Sequence, residues 1–160
     1  MAHEITERFQ ELDSLVLLGI PTRGVPLAER IGAALLKIRG RRVPVGALDV
    51  TMFRDDLRQK PVRALLPTVI PPSGIDDAHV VMVDDVLFSG RTIRAALDAL
   101  VEFGRPKTVA LAVLIDRGHR ELPIKADFVG KNIPTHVGDE VRVCLSEIDG
   151  RDEVEVMSGK

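Results

Sequence analysis

The segment from His79 to Thr92 constrains this chain more than any other. Val80-Val81-Met82-Val83 is an unbroken apolar run, the pattern of a strand covered on both faces of its sheet. Two adjacent carboxylates follow, Asp84 and Asp85, and the chain then passes through Ser89-Gly90-Arg91-Thr92 into a helical pattern. At such a strand–turn–helix junction, free amides and the positive end of the helix dipole point into the turn. Gly90 lets the backbone approach a ligand closely, and the hydroxyls of Ser89 and Thr92 can donate to anionic oxygens. The carboxylates need something else, because two side by side repel each other unless hydroxyl donors or a cation face them. A ribose 5-phosphate meets both demands, with its phosphate in the turn and its 2- and 3-hydroxyls on Asp84 and Asp85. An acidic cap on an ordinary helix accounts for the same residues, so the strand, acids and turn alone leave both readings open.

The flanking pattern supplies an α/β frame. Ala2 to Leu12 reads as a helix with Ile5 and Phe9 on one face, and the chain begins almost inside it. Leu15-Val16-Leu17-Leu18 is a second buried strand. Pro26 then sits in the first turn of a helix whose stripe is Leu27, Ile31, Ala34, Leu35 and Ile38, stopped by Gly40. Val43 to Phe53 reads as a strand, bulged around Gly46. Residues 54–77 hold four prolines and no long element, which predicts a flexible loop or extended hairpin over a site. A helix is expected from Thr92 to Phe103 with Ile93, Ala96, Leu97, Leu100 and Val101 inward, followed by a strand from Lys107 to Ile115 and later short strands. Strands alternating with helices predict one domain, a mostly parallel sheet flanked by helices, with ligands at the carboxyl ends of the strands. Three loops stand there: 19–24, 84–92 and 116–120.

The bulk properties narrow the classes. With 160 residues, 45% of them apolar and 29% charged, the chain can bury a real core. A net charge of −2 gives no global attraction to nucleic acid or anionic membrane, so any RNA contact must come from a local basic face. One cysteine, Cys144, excludes an internal disulfide and fits a reducing compartment. No segment has the apolar length of a membrane span or the pattern of a signal peptide, which predicts a cytoplasmic protein.

The thirteen residues from Val80 to Thr92 resemble the phosphoribosyl-pyrophosphate (PRPP) signature of type I phosphoribosyltransferases, and no Walker pattern is present. Gly19-Ile20-Pro21-Thr22-Arg23-Gly24, Leu48–Leu57, Asp116–Pro123 and Val129–Thr135 extend the resemblance over nearly the whole chain, to the PyrR group. These are bacterial pyrimidine-operon regulators that also act as uracil phosphoribosyltransferases. The resemblance implies the type I phosphoribosyltransferase fold with a small hood subdomain, at about residues 116–140. It implies conversion of uracil and PRPP to UMP and pyrophosphate, with Mg²⁺ carried mainly by PRPP rather than by protein side chains. Asp84, Asp85 and Arg23 are the implied catalytic residues. Thr22, Arg23 and Gly24 would face the pyrophosphate, and Val86, Leu87, Phe88, Ser89, Gly90, Arg91 and Thr92 would wrap the 5-phosphate. Arg54, Arg58, Lys60 and Arg63 would close over the site. Phe128, Val129 and Lys131 are the candidates for holding the base.

The regulatory half of the resemblance implies binding of pyrimidine-operon mRNA with UMP as co-regulator, and a homo-oligomer. His3, Arg8, Arg117, His119, Arg120, Lys125 and Lys131 are the candidate RNA contacts. The five aromatics are all Phe, which argues against a broad stacking platform. Three departures from the family pattern stand out. The family usually carries a longer segment before the first helix, so the start here reads as truncated or unusually short. His136-Val137-Gly138-Asp139 replaces a common Ser-Arg-Ser-Glu, and Lys125 replaces a usual arginine, keeping charge but not a bidentate fork. Two alternatives are a UMP-sensing RNA-binding regulator with negligible catalysis and a phosphoribosyltransferase for another base.

Overall fold

The computed structural model describes residues 1–59 and 64–159. Five parallel strands form the sheet: β1 (Leu15–Gly19), β2 (Val45–Ala47), β3 (His79–Leu87), β4 (Thr108–Asp116) and β5 (Phe128–Asn132), in the order β2-β1-β3-β4-β5. Helices α1 (Ala2–Arg8) and α2 (Gly24–Arg39) cover one face, and α3 (Arg91–Leu100) covers the other. A separate antiparallel pair, β6 (Glu140–Cys144) and β7 (Glu153–Met157), is joined through a short helix, α4 (Ser146–Asp149).

The period of two in a strand divides the central apolar runs between two cores. Leu15, Leu17, Val81 and Val83 point to the α1/α2 side, where they meet Ile5, Phe9, Leu27, Ile31 and Leu35. Val16, Leu18, Val80 and Met82 point to the α3 side, against Ile93, Ala96, Ala99 and Leu100. All five β1 side chains are buried, as an unbroken apolar run in a parallel sheet requires. Cys144 is a buried free thiol. Among the described residues, no helix is long and apolar enough to cross a membrane.

Several expected elements are shorter or rotated. The first helix stops at Arg8, because Phe9 leaves the helical region at φ −112° and Leu12 enters a single 3₁₀ turn. The strand expected over Val43–Phe53 is cut to Val45–Ala47, because Asp49 accepts the Thr51 N–H at 3.1 Å and its hydroxyl at 2.7 Å, which bends the chain into a 3₁₀ turn. The helix expected to reach Phe103 ends at Leu100. Its buried stripe runs through Ile93, Ala95, Ala96, Ala99 and Leu100, a close small-residue contact that turns Leu97 and Val101 to solvent. β3, by contrast, runs past Val83 to Leu87, pairing Val86 with Ile115 and Leu87 with Asp116. Residues 128–132 join the main sheet, so the small sheet is built from residues 140–157, later than the 116–140 expected for a hood.

Candidate functional site

The carboxyl ends of β1 and β3 meet at a cleft. Ile20 donates its N–H to the Val83 carbonyl at 2.8 Å, and Gly24 donates to Ile20 at 2.9 Å, folding loop 20–23 onto the end of β3. Only glycine fits position 24, since a Cβ there would lie 2.3 Å from the Val83 carbonyl oxygen. The Pro21–Thr22 peptide is cis. Thr22 and Arg23 face Asp84, Asp85, Val86 and Thr92 across a cavity of about 550 Å³. An adjoining cavity of about 590 Å³ shares Arg54, Asp56, Asp84, Val86 and Thr92 with the first and runs on over Phe88–Ile93.

Asp84 forms the floor, with 7% of its surface exposed. Burial, followed by the negative charge of Asp85, pushes its carboxyl well above the usual carboxylate range, while Arg54 acts in the opposite sense. Each acid accepts from the chain itself: Asp84 from the Asp85 N–H at 2.9 Å and Asp85 from the Val86 N–H at 2.8 Å. Both remain short of donors, a need that hydroxyls or a hard cation would meet. Among the described residues no group of three or more His, Cys, Asp or Glu side chains is arranged to hold a metal. Two oxygen donors suit a magnesium ion only if a ligand brings most of the remaining coordination.

The turn beyond β3 leads directly into the N-terminus of α3. Gly90 adopts φ +92° and starts α3, whose first helical bond runs from the Arg94 N–H to the Gly90 carbonyl at 3.0 Å. The Arg91 N–H goes to Ser89 Oγ at 3.3 Å. The turn is braced from behind, where the Ser89 carbonyl accepts the N–H groups of Glu121 and Leu122 at 2.9 and 3.1 Å. Arg91 reaches Asp55 and Glu121, both at 2.6 Å, which links the segment after the Thr51–Phe53 turn to the loop after β4. Val86 and Leu87, expected in the phosphate wrap, are the last residues of β3 and also line the second cavity. The Val86 N–H is taken by Asp85, and Leu87 is buried as a core side chain because the strand still pairs with β4 there.

Arg23 donates to Asp149 of α4 at 2.9 Å, and among the described residues its buried Nε has no partner. Of the cations expected to close over the cleft, Arg54 lines it and is held by Asp56 at 2.8 Å. Arg58 is exposed, while Lys60 and Arg63 lie outside the described residues. Asp49, given no role in the sequence expectations, ties the turn before this segment to its middle by accepting from Thr51 and from the Leu66 N–H at 3.2 Å.

Several expected contacts are placed elsewhere. Phe128 does not face the cleft; it packs in the α1-side core, 6.4 Å from Phe9, because β5 joins the main sheet. Val129 is half-buried against the α3-side core, and Lys131 is exposed on the edge strand. Arg117 does not present its charge to solvent. It is buried, and its guanidinium donates to the carbonyls of His136, Val137 and Asp139 and to Thr135 Oγ1. Arg120 is likewise engaged by Asp116 and by the carbonyls of Phe88 and Ile124. Arg8 pairs with Asp127, and His119 Nε2 donates to the Thr135 carbonyl at 2.7 Å. His3, Lys125 and Lys131 stay exposed. Nothing in the local sequence marks Asp149 or Asp55 as partners of Arg23 and Arg91, since each contact joins distant segments.

Comparison with known proteins bears on the family and the fold. The phosphoribosyl transferase domain family matches residues 1–148. The bifunctional protein PyrR of Streptomyces coelicolor is 64% identical over 154 residues, covering 96% of this chain and 80% of that protein. The PyrR of Chloroflexus aurantiacus is 56% identical, covering 99% and 87%. The crystal structure of the hypoxanthine phosphoribosyltransferase of Trypanosoma cruzi superposes with a TM-score of 0.72 at 20% identity, over 99% of this chain and 88% of that one. At that identity the likeness bears on the fold alone.

Proposed function

The chain belongs to the phosphoribosyl transferase domain family, and within it to the PyrR proteins, and from that premise we propose that it makes UMP from uracil and PRPP and regulates pyrimidine genes through mRNA. The observation that carries the enzymatic half is the opposition, across one cleft, of the Asp84–Asp85 pair and the Ser89–Thr92 turn to the Thr22–Arg23 loop. The three parts match the three charged or hydroxylated regions of PRPP.

In this reading the ribose 2- and 3-hydroxyls donate to Asp84 and Asp85. The 5-phosphate accepts from the amides that open α3 and from the Ser89 and Thr92 hydroxyls. The pyrophosphate faces Thr22 and Arg23. A ring nitrogen of uracil then bonds to the anomeric carbon as the bond to the pyrophosphate oxygen breaks; the electron pair departs with the pyrophosphate, and the proton carried by that nitrogen is lost to solvent. No protein nucleophile is needed, so these residues act by alignment and by charge placed where the leaving group develops it. Mg²⁺ carried mainly by PRPP would supply charge neutralisation on the pyrophosphate, and Asp84 and Asp85 are the protein carboxylates that would help hold it. Arg54 supports the further reading that the 54–77 segment closes over the site, since it already lines both cavities.

The RNA half rests on the family and on the exposed side chains of His3, Lys125 and Lys131, in a protein of the cytoplasm that assembles with further copies of itself. The deciding experiment offers uracil, cytosine, hypoxanthine and guanine separately with PRPP and magnesium. UMP formation with uracil, abolished in Asp85→Asn, is the expected result. Turnover with a purine but not uracil would replace this reading, and no product with any base would leave a sensor without catalysis.

A further inference from the structure

Arg23 is held differently from the other shielded arginine of the site. Arg117 collects three backbone carbonyls and a hydroxyl, as an arginine that serves the fold does. Among the described residues Arg23 has one carboxylate, Asp149, and a buried Nε–H with no acceptor, at the edge of the cleft. A buried donor left over is costly, and a polyanion entering that edge is the kind of ligand that would supply acceptors.

Asp149 is itself fixed. Its other oxygen accepts the Leu145 N–H at 2.8 Å, and its own N–H donates back to the Leu145 carbonyl at 2.6 Å. The turn carrying it is tied to α2 by Arg30, which donates to Glu147 at 2.8 and 2.6 Å, to Asp152 at 2.7 Å and to Ser146 Oγ at 2.9 Å. The Arg23 and Asp149 side chains are 23% and 15% exposed, so the pair is better shielded from water than an ordinary surface ion pair. The Leu145 N–H and the Arg23 guanidinium also hold the Asp149 carboxyl below the usual range, so it keeps its charge at neutral pH.

We infer that Asp149 is a positioning residue for Arg23, through which the C-terminal hairpin sets the affinity of the pyrophosphate end of the cleft. The inference rests on the reading of the Thr22–Arg23 loop as the pyrophosphate-facing loop. A guanidinium already anchored on one edge loses less freedom when its remaining donors meet a polyanion, which is affinity gained by pre-organisation. UMP carries no pyrophosphate, so its binding does not depend on the contact.

The test is calorimetric titration of magnesium pyrophosphate and, separately, of UMP into the wild-type chain, Asp149→Asn, Asp149→Glu, Arg23→Ala and the Arg23→Ala/Asp149→Asn double variant. Asp149→Asn is expected to weaken pyrophosphate about tenfold, the size of losing one charge-assisted hydrogen bond. UMP affinity stays unchanged, Asp149→Glu recovers part of the loss, and the double variant is no weaker than Arg23→Ala. Unchanged or tighter pyrophosphate binding in Asp149→Asn overturns the inference, the tighter result marking Asp149 as a competitor. An equal loss of UMP binding overturns it too, in favour of a purely structural contact. If Arg23→Ala itself leaves pyrophosphate binding intact, the loop assignment fails, and the inference fails with it.

Discussion

The guanidinium of Arg117 lies 4.1 Å from the centroid of the Phe88 ring. The turn between β3 and α3 is therefore pressed against a cation from the next loop, and that cation also gathers the carbonyls of residues 136, 137 and 139. One planar group thus joins the end of β3, the end of β4 and the approach to β6, which a point charge cannot do by stacking and forked donation together.

Arg117→Ala is expected to cost about 3 kcal/mol of stability, the scale of leaving buried acceptors unpaired, and to weaken UMP binding by loosening Phe88. Arg117→Lys should recover only a small part. Melting temperature and UMP titration check this, and wild-type values for both in Arg117→Ala would show the brace to be dispensable.

Asp84 gives a pH-dependent prediction. Its carboxyl lies above its unfolded value, chiefly from burial and secondly from Asp85, so the native state binds more protons than the unfolded chain between the two pKa values. Stability from this group therefore falls as pH rises through that window. Asp84→Asn should melt higher than wild type at pH 7, with the difference shrinking toward pH 4, while turnover drops by about 100-fold. A variant that melts lower than wild type at pH 7 would contradict the assignment of a costly buried charge.

Gly24→Ala should be severe for a residue with no functional group. The added Cβ would sit 2.3 Å from the Val83 carbonyl oxygen, forcing loop 20–23 off the end of β3. A loss of about 2 kcal/mol is expected, together with a raised KM for PRPP. Normal kinetics in a stably folded variant would show that the loop can move without consequence.

RNA binding should depend on the cations that the fold leaves exposed. Lys125→Ala and Lys131→Ala are each expected to weaken a pyrimidine-operon leader RNA and to lower the salt slope by about one, with uracil transfer unchanged for Lys125→Ala. Unaltered affinity and slope in the double variant would place the RNA face elsewhere. His3→Ala tests the α1 end of the same surface.

Much of the site was legible because its signals are local. An apolar run, two adjacent acids and a Ser-Gly-Arg-Thr turn are neighbours in the chain, and each carries its chemistry wherever the segment goes. The extra length of β3 was not legible, because Asp84 and Asp85 look like a strand end; pairing with β4 keeps the backbone extended to Leu87 regardless. Leu97 and Val101 fit a helical stripe, but alanines at 95, 96 and 99 bring α3 close to the sheet and choose a different face.

The sequence by itself determined the parallel α/β frame, the strand–turn–helix junction and the pair of acids, since periodicity, turn chemistry and residue adjacency are properties of short segments. Only the tertiary structure decided how each side chain is used: Arg117 as a brace, Phe128 as core, Arg23 on Asp149 across 126 residues of chain. Arginines look alike in a sequence. What separates a ligand contact from a structural clamp is the number of acceptors that distant segments bring within reach, and that is set by packing.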